Sequence, residues 1–485
     1  MLPDEQLPGK VSDPIQAGQS DQGFPVVGVG ASAGGLEAFT ELLRHLPADT
    51  GMAFVFIQHL APRHESMLAH LLSRETAMCV NEVADGAVLS PNQVYVIPPN
   101  AAMTISGLTL FLKPRETAGT AIDGFLRSLA AGQKSRAIAV ILSGTGSDGA
   151  LGVQAIAEEG GVVFVQDTSA KFDGMPRSAI ATGCVDFVLP PEAIGAELVR
   201  IAGEPRLIRH DITEPAAQSL ESEKDFQSVL ELLRASTGID FSLYRQTTVR
   251  RRLVRRLALL RQRSLCDYVQ HVKENPDEAH ALAQDILIRV TRFFRDPEVF
   301  DVLSRRVFPA LIRKRHLDHP VRIWVPGCST GEEAYSIAIC FLEVAEQMRS
   351  RVPLQLFATD INDAAVEKAR RGVYIENIAA DVSPERLARF FVRTGKDFQI
   401  ARKVRDLCIF SRHDLLNDPP FSRMDLVSCR NVLIYLDAAQ ERALARFHFT
   451  LNPGGFLLLG RSETATSAPE LFEIGRASWM GRVYI

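Results

Sequence analysis

Between Phe24 and about Gly203, short apolar runs alternate with segments of helical periodicity. The runs have the length of strands and are rich in β-branched residues: PVVGVG, AFVFIQHL, VYVIPP, LTLFLK, AIAVILSG, GVVFVQ and VDFVLP. Helical patterns follow several of them, over Leu36–Leu46, Ile122–Ala131, Ala150–Glu159 and Pro191–Ile201. Strands that are apolar throughout and separated by helices predict a largely parallel sheet covered on both faces.

The same alternation returns in the second half of the chain, after two segments of different character. Residues 204–223 are polar, contain two prolines and are predicted to be a linker. No strand pattern occurs in 224–315, which is predicted to be a small helical subdomain. From Val321 onwards VRIWVPG, LQLFATD, MDLVSCR and GFLLLG restore the alternation. The predicted fold class is therefore α/β, with doubly wound sheets in domains 24–203 and 316–485, preceded by a flexible tail at 1–23.

Composition excludes several other classes of protein. The chain has 485 residues, of which 46 % are hydrophobic and 23 % charged, and these values are typical of two or three globular domains. A net charge of −4 gives no whole-chain argument for nucleic-acid binding. The seven cysteines are scattered without a CxxC pair, so we expect neither a metal site nor a disulfide framework. Because no apolar run approaches the ~20 residues that span a bilayer, we expect a cytoplasmic protein without membrane insertion.

The first candidate site is a strand, a glycine-rich turn and a helix in the segment VVGVGASAGGLEAF. The pattern places Ser32 at the carboxyl end of the strand, just before the helix begins. Small neighbours leave its hydroxyl uncovered, and the free N–H groups of a helix N-terminus favour the negative charge of an acyl-transfer oxyanion. Ser32 alone is weak support, because many glycine turns contain a serine.

Two further residues follow neighbouring strands. AFVFIQHL ends in His59, and AIAVILSG leads into Asp148, so both are predicted to lie with Ser32 at the carboxyl edge of one parallel sheet. Serine, histidine and aspartate form a complete set for nucleophilic acyl transfer. Singly, His59 is more often a satisfied strand-end residue and Asp148 a helix cap. A dinucleotide-binding turn is the other alternative, but that site needs a carboxylate where this strand ends in Gln58 and His59.

The motifs GASAGG, QHL, LSGTGSDGA and GMPRSAI together resemble the catalytic domain of the chemotaxis receptor methylesterases, the CheB family, over about residues 24–200. The resemblance implies that Ser32 is the nucleophile, His59 the base and Asp148 the orienting acid. It also implies that the backbone N–H of Thr145 helps to hold the oxyanion. The implied substrates are glutamyl methyl esters, and related enzymes also deamidate glutamine.

Regulation is the point at which this chain departs from that family. Such enzymes usually begin with a phosphorylatable receiver domain, whereas only a short tail precedes Phe24. We therefore expect no control by a receiver in cis. We hypothesise instead that the two halves of the chain gate each other across the linker at 204–223.

The second candidate site begins with another strand, turn and helix, VRIWVPGCSTGEEAYSIAI. Gly327 lets the backbone approach a ligand, while Glu333 adds negative charge to the helix start, which disfavours phosphate and favours a cationic sulfonium. The next strand ends in Asp360, a residue suited to ribose hydroxyls. A later strand ends in Arg430 and precedes Tyr435. The alternative is that Glu333 only caps the helix and Tyr435 only packs in the core.

TRFFRD, PGCSTGEEAYSIA, ATDIN and CRNVLIYL resemble the chemotaxis receptor methyltransferases, the CheR family, over about residues 225–485. The resemblance implies a Rossmann-like domain that uses S-adenosylmethionine and releases S-adenosylhomocysteine. The implied cofactor contacts are Thr291, Arg295, Glu333, Asp360, Asp414, Leu415, Arg430 and Asn431, with Tyr435 near the transferred methyl. Arg289 and Asp414 stand where asparagine is common among relatives. No general base is expected, since a glutamate is already ionised at neutral pH.

A run of arginines lies on one predicted helix before the second sheet. Val249, Leu253, Leu257 and Leu260 form its apolar face, and the arginines surround that face: Arg250, Arg251, Arg252, Arg255 and Arg256. A solvated charged face is one interpretation. Docking against the acidic helix that carries the target glutamates is the other, and the family resemblance supports it. Nucleic acid is disfavoured because no aromatic residues interleave the run.

Three functions are compatible with these patterns. The first is reversible methylation of glutamates in the cytoplasmic helical region of methyl-accepting receptors or a similar signalling protein. The second is a signalling scaffold in which one half is catalytically silent. The third is a pair of dinucleotide-binding domains forming an oxidoreductase, and it is disfavoured because neither the acidic-strand rule nor the glycine spacing fits well in both halves. The sequence predicts no oligomeric state.

Overall fold

The computed structural model describes residues 23–58, 67–114, 121–203, 223–287, 291–314, 319–437, 439–466, 468, 470–472 and 483–484. His59 and Arg289, together with almost all of the predicted tail and linker, lie outside these ranges. Within the described ranges, no helix combines the length and the apolar composition needed to span a bilayer.

The first domain is built on a sheet of seven parallel strands. Its strands and one separate hairpin, in chain order, are β1 (Val26–Ala31), β2 (Ala53–Gln58), β3 (Cys79–Glu82), β4 (Gln93–Val96), β5 (Ala101–Ser106), β6 (Thr109–Pro114), β7 (Ala137–Ile141), β8 (Val162–Gln166) and β9 (Phe187–Leu189). The order across the sheet is β3-β4-β2-β1-β7-β8-β9, and every neighbouring pair is parallel. The expected parallel sheet is confirmed.

Helices cover both faces of this sheet. They are α1 (Gly35–Arg44), α2 (Leu68–Leu72), α3 (Ala121–Gln133), α4 (Ala150–Glu158), α5 (Gly174–Ile180) and α6 (Pro191–Ala202). Val27 and Val29 of β1 join the core beneath α1. On the other face, a Cβ at Gly28 would lie 2.7 Å from Leu126 of α3, so glycine allows this helix to pack closely on the strand.

Two details of the first domain differ from the sequence-based expectation. LTLFLK does not join the parallel sheet but forms strand β6 of the antiparallel hairpin β5–β6. The reason is the two-residue turn that follows Ser106, in which Gly107 has a φ of +59°, as tight hairpins require. The edge strand β3 was missed, because CVNE is short, polar and partly exposed.

A helical subdomain follows, as expected for 224–315. Its helices are α7 (Glu223–Thr237), α8 (Gln246–Leu259), α9 (Leu265–Glu274), α10 (Pro276–Ile286), α11 (Pro297–Val302) and α12 (Phe308–Lys314). Val249, Leu253 and Leu257 of α8 are buried in the core of this subdomain, which confirms the predicted apolar face.

The second sheet has six strands and a small antiparallel sheet beside it. The strands are β10 (Val321–Pro326), β11 (Leu354–Asp360), β12 (Val373–Tyr374), β13 (Phe391–Thr394), β14 (Asp397–Ile400), β15 (Cys408–Arg412), β16 (Met424–Cys429), β17 (Leu451–Leu459) and β18 (Val483–Tyr484). The main order is β15-β11-β10-β16-β17-β18, with only the β17–β18 pair antiparallel, while β12, β14 and β13 form the small sheet. The helices of this second α/β domain are α13 (Glu332–Gln347), α14 (Asp363–Arg371), α15 (Pro384–Phe390), α16 (Arg402–Arg405) and α17 (Ala439–Thr450).

Each large sheet reverses its strand order at its first strand. Strand β1 lies between β2 and β7, and β10 lies between β11 and β16. Chain connections leave such a strand toward opposite sides, so a crevice opens at its carboxyl end. The two crevices are where Ser32 and Gly327 are found.

Gly161, between α4 and β8, provides a test of this packing. The Cβ of a Gly161→Ala variant would lie 2.3 Å from the carbonyl oxygen of Ala137. Because backbone must move to relieve this contact, we expect a loss of about 1–3 kcal/mol in the free energy of unfolding. Gly124→Ala is the matched control, since its Cβ would meet open space on helix α3. Urea unfolding followed by circular dichroism would contradict the packing if both variants had the wild-type midpoint.

Candidate active sites

Ser32 lies in the turn between β1 and α1. Its backbone N–H donates to the carbonyl of Ser143 (3.0 Å), and its own carbonyl accepts from the N–H of Gly35 (2.9 Å). Gly34 has a φ of +73° and immediately precedes the helix. These bonds hold a half-buried serine at the N-terminus of α1, where the helix dipole favours negative charge.

The loop after β7 packs directly against Ser32. A Cβ at Gly144 would lie 2.9 Å from the Cβ of Ser32 and 2.2 Å from the sulfur of Met175. The N–H of Gly144 donates to the carbonyl of Phe172, and the N–H of Met175 donates to that of Gly144, both at 2.9 Å. Helix α5, which is GMPRSAI, thus fixes the loop that continues into Thr145, and Thr145 itself is exposed.

Asp148 is buried beside the first turn of α3. Its carboxylate accepts the backbone N–H groups of Ile122 (3.1 Å) and Asp123 (2.9 Å). Asp148 therefore does cap a helix, α3, and the two hydrogen bonds hold its carboxylate in one orientation. The neighbouring Asp123 has its pKa raised to about 7, by burial first and then by the charge of Asp148.

His59 lies outside the described residues, but the preceding residue is described. Gln58 pairs with Ala31 across β1 and β2. In the sequence, Ser32 follows Ala31 and His59 follows Gln58, and these two preceding residues pair with each other on neighbouring parallel strands. The role of His59 as the base stays a prediction.

The second crevice is a cavity of about 1060 Å³, counting the open space at its mouth. Its lining includes every residue that the sequence assigned to the cofactor: Thr291, Arg295, Glu333, Asp360, Asp414, Leu415, Arg430, Asn431 and Tyr435. Residues from the loop after α10 and from the ends of three strands thus meet around one space.

Glu333 lies in the first turn of helix α13, and its side chain bonds to residues of another element. Its carboxylate accepts the hydroxyl of Ser428 (2.6 Å) and lies 3.3 Å from a guanidinium nitrogen of Arg430. Burial raises the pKa of Glu333, and the charge of Arg430 opposes this shift. The side chain therefore links the helix start to the end of β16.

Asp360 ends β11 and organises the turn opposite. Its carboxylate accepts the backbone N–H of Ser329 (2.8 Å) and that of Asn362 (2.9 Å). Asp360 also lines the cavity, where a carboxylate can accept hydrogen bonds from the hydroxyl groups of a ribose.

Asp414 lines the cavity and also organises its own loop. Its carboxylate oxygens accept hydrogen bonds from the backbone N–H groups of Leu416 and Asn417 and from the side-chain amide of Asn417, at distances of 2.8–3.1 Å. These bonds stabilise the loop to which Asp414 belongs. The adjacent His413 lines the same cavity. Its Nε2 lies 3.0 Å from the carbonyl of Pro419, and its buried Nδ1 has no partner among the described residues. Donation from Nε2 leaves Nδ1 as an acceptor for an exocyclic amino group.

Arg430 ties the TRFFRD segment to the sheet. It donates to the carbonyl of Arg295 (2.7 Å) and to Asp296 (2.6 Å), and only 1 % of its side chain is exposed. Phe294 and Asp296 have positive φ values of 49° and 59°. Non-glycine residues in this region are strained, and such strain persists where the surroundings hold it in place.

Glu463 is a site residue that the sequence analysis missed. Its two oxygens accept four backbone N–H groups at 2.6–2.8 Å, those of Asn431, Val432, Leu433 and Gly460. Asn431, at a φ of +59°, is held against the cavity by these bonds. RSETA has no spacing or composition that distinguishes this glutamate from a surface residue.

The arginines of α8 are largely engaged within the chain. Arg250 pairs with Glu223, and Arg256 pairs with Glu278. Arg252 and Arg255 are buried against the first domain, and Arg251 is exposed. In this arrangement the helix does not offer the open arginine face that the docking hypothesis expected.

The first crevice has the features of a serine hydrolase, and the second those of a methyltransferase that binds S-adenosylmethionine. Family models match at residues 27–198 (CheB methylesterase), 224–287 (CheR methyltransferase, all-alpha domain) and 289–480 (CheR methyltransferase, SAM binding domain). The chain belongs to the CheR family of chemotaxis methyltransferases and carries a CheB methylesterase domain in front of it.

The chain is similar to several known proteins. The chemotaxis protein methyltransferase 2 of Pseudomonas aeruginosa is 36 % identical over 259 residues, which are 52 % of this chain and 90 % of that protein. An uncharacterized 104.1 kDa protein of Rhodobacter capsulatus is 40 % identical over 429 residues, which are 84 % of this chain but only 45 % of that protein. The crystal structure of the CheB methylesterase catalytic domain of Thermotoga maritima aligns at 29 % identity and a TM-score of 0.35, covering 37 % of this chain and 99 % of that one.

Replacing Glu463 by glutamine tests its role in shaping the cavity. The amide keeps one acceptor oxygen, so two backbone N–H groups lose their partners, at about 1–3 kcal/mol each. We expect the dissociation constant of S-adenosylhomocysteine, measured by calorimetry, to rise at least about tenfold. The exposed Glu470→Gln is the matched control. Equal affinities in both variants would mean that Glu463 does not support the site.

Proposed function

We propose that this chain both removes and adds methyl esters on glutamate side chains of a signalling protein. The N-terminal half hydrolyses the esters, and the C-terminal half forms them from S-adenosylmethionine. The observation that carries the proposal is the convergence of all the assigned cofactor residues on one cavity, in a chain that also holds Ser32 at a helix N-terminus. The division into 1–23, 24–203, 204–223, 224–315 and 316–485 is part of this proposal.

The esterase half acts through an acyl intermediate. His59 takes the proton of the Ser32 hydroxyl as its oxygen attacks the ester carbonyl, and methanol leaves with that proton. The N-terminus of α1 and the N–H of Thr145 stabilise the oxyanion. Water then releases the glutamate and restores the serine. A glutamine side-chain amide can enter the same sequence and leave as ammonia.

The methyltransferase cavity suits S-adenosylmethionine by three observations. Glu333 and Asp360 place negative charge in the cavity, which favours a cationic sulfonium. The carboxylate of Asp360 can accept hydrogen bonds from ribose hydroxyls. The buried Nδ1 of His413 can accept one from the adenine amino group. The bound cofactor supplies an electrophilic methyl group. The residues of this chain orient it and exclude water, and Arg295 attracts the anionic acceptor. Positioning supplies most of the rate enhancement, because an ionised glutamate needs no base.

The acceptor in this proposal is a glutamate on the cytoplasmic helical part of a methyl-accepting chemoreceptor or a similar signalling protein. Family membership supports this class, since the relatives named above include a chemotaxis methyltransferase. A scaffold with one silent half is the alternative, and the following experiment distinguishes the two.

Ser32→Ala should separate the two activities. Membranes that bear a methyl-accepting chemoreceptor are incubated with labelled S-adenosylmethionine, and incorporated methyl and released methanol are both counted. We expect incorporation to continue while methanol release falls at least about a hundredfold, because the nucleophile is gone. The exposed Ser73→Ala is the control and should behave as wild type. Methanol release by Ser32→Ala at the wild-type rate would refute the esterase half, and absence of incorporation by wild type would refute the other.

Asp360→Asn tests the cofactor assignment. Asparagine keeps one oxygen for the backbone but loses the negative charge and the second acceptor oxygen. We expect the dissociation constant of S-adenosylhomocysteine to rise about tenfold, which corresponds to one charge-assisted hydrogen bond. Asp363→Asn removes an exposed carboxylate three residues away and serves as the control. A wild-type affinity in Asp360→Asn would contradict the assignment.

A further inference from the structure

The two halves of the chain meet through helix α8, whose arginines enter the methylesterase domain. The guanidinium of Arg252 donates to the carbonyls of Ala157 (3.3 Å) and Glu158 (3.1 Å), which are the last two residues of α4. Arg255 lies 2.5 Å from Asp186 and also donates to the carbonyl of Gly161 (3.3 Å). Ala258 packs into a core cluster of the methylesterase domain. The contact is thus built from directed bonds to specific groups.

This contact brings Glu158 to the methyltransferase cavity. A carboxylate oxygen of Glu158 lies 3.3 Å from a guanidinium nitrogen of Arg295. Arg295 and Tyr435 both line the cavity. Burial raises the pKa of Tyr435 to about 12, and the negative charge of Glu158 adds to this shift.

The two arginines that line the cavity have different partners. Arg430 is buried and pairs with Asp296 and Glu333 of its own domain. Arg295 instead pairs with Glu158, a carboxylate from the other domain. Arg295 thus accepts an anion that comes from outside the methyltransferase domain, and an acceptor glutamate is another such anion.

We propose that Glu158 occupies the position of the acceptor carboxylate, so that the methylesterase domain covers the acceptor-binding surface of the methyltransferase. This inference rests on the proposed function, because it supposes that the acceptor is a glutamate. Arg252 and Arg295 together receive a helical segment that presents a glutamate, namely the last turn of α4. An external acceptor must displace α4 before it is methylated.

Glu158→Gln tests this inference, because it removes the charge that mimics the acceptor while Arg252 still binds the backbone of α4. We expect transfer of labelled methyl to receptor-bearing membranes to rise about fivefold, since a competing ion pair is lost. Because Arg295 is also assigned to the cofactor, the affinity for S-adenosylhomocysteine distinguishes the two ligands: we expect the wild-type value, and tighter binding would mean that Glu158 competes with the cofactor and would overturn the inference. Glu159→Gln removes the same charge one residue further on and should transfer methyl at the wild-type rate.

The outcomes separate this inference from the function on which it rests. Equal, measurable rates in wild type and Glu158→Gln would overturn the inference and leave the proposed function standing. If wild type and both variants transfer no methyl, the proposed function fails, and the inference fails with it. Hydrogen exchange gives a readout that does not depend on turnover. We expect faster exchange in the last turn of α4 and in α8 of Glu158→Gln, with β1 and β10 unchanged, and unchanged exchange in α4 and α8 would also overturn the inference.

Discussion

Parallel strands bonded side by side bring their carboxyl ends to one edge, and this constraint positions both chemistries of the chain. At β1 and β10 the neighbouring connections leave toward opposite faces, so each sheet opens a crevice there. The residues in the crevices are then held by backbone hydrogen bonds and not by side-chain packing alone. Asp148 receives two N–H groups from α3, and Glu463 receives four from the loops beside β16.

The same chain also buries charge between its two halves. Burial raises the pKa of Asp186, while the charge of Arg255 opposes that shift. Burial lowers the pKa of Arg252 to about 10, and the neighbouring Arg255 adds to this effect. Buried charges of this kind contribute little net stability, but leaving one of them unpaired costs about 3–5 kcal/mol. The pairing therefore fixes the register between the domains more than it strengthens their contact.

The sequence predicted what depends on local pattern. Alternating apolar runs predicted the two sheets. Glycine turns after strands predicted that Ser32 lies at the edge of the first sheet and that a ligand site lies near Asp360 at the edge of the second. Long-range relations were not predictable in this way. The partners of α8 are an example, since an amphipathic arginine helix has the same pattern whether its arginines face water or another domain. Glu463 was missed because its role depends on backbone donors that only the folded loops bring together.

Helix α4 begins directly after Asp148 and Gly149 and ends at Glu158. Nine residues at 1.5 Å each make a rod of about 13 Å, short enough to move as one piece. One end adjoins Asp148 in the first crevice, and the other pairs Glu158 with Arg295 in the lining of the second. A tilt of this single helix would therefore alter the surroundings of both crevices at once.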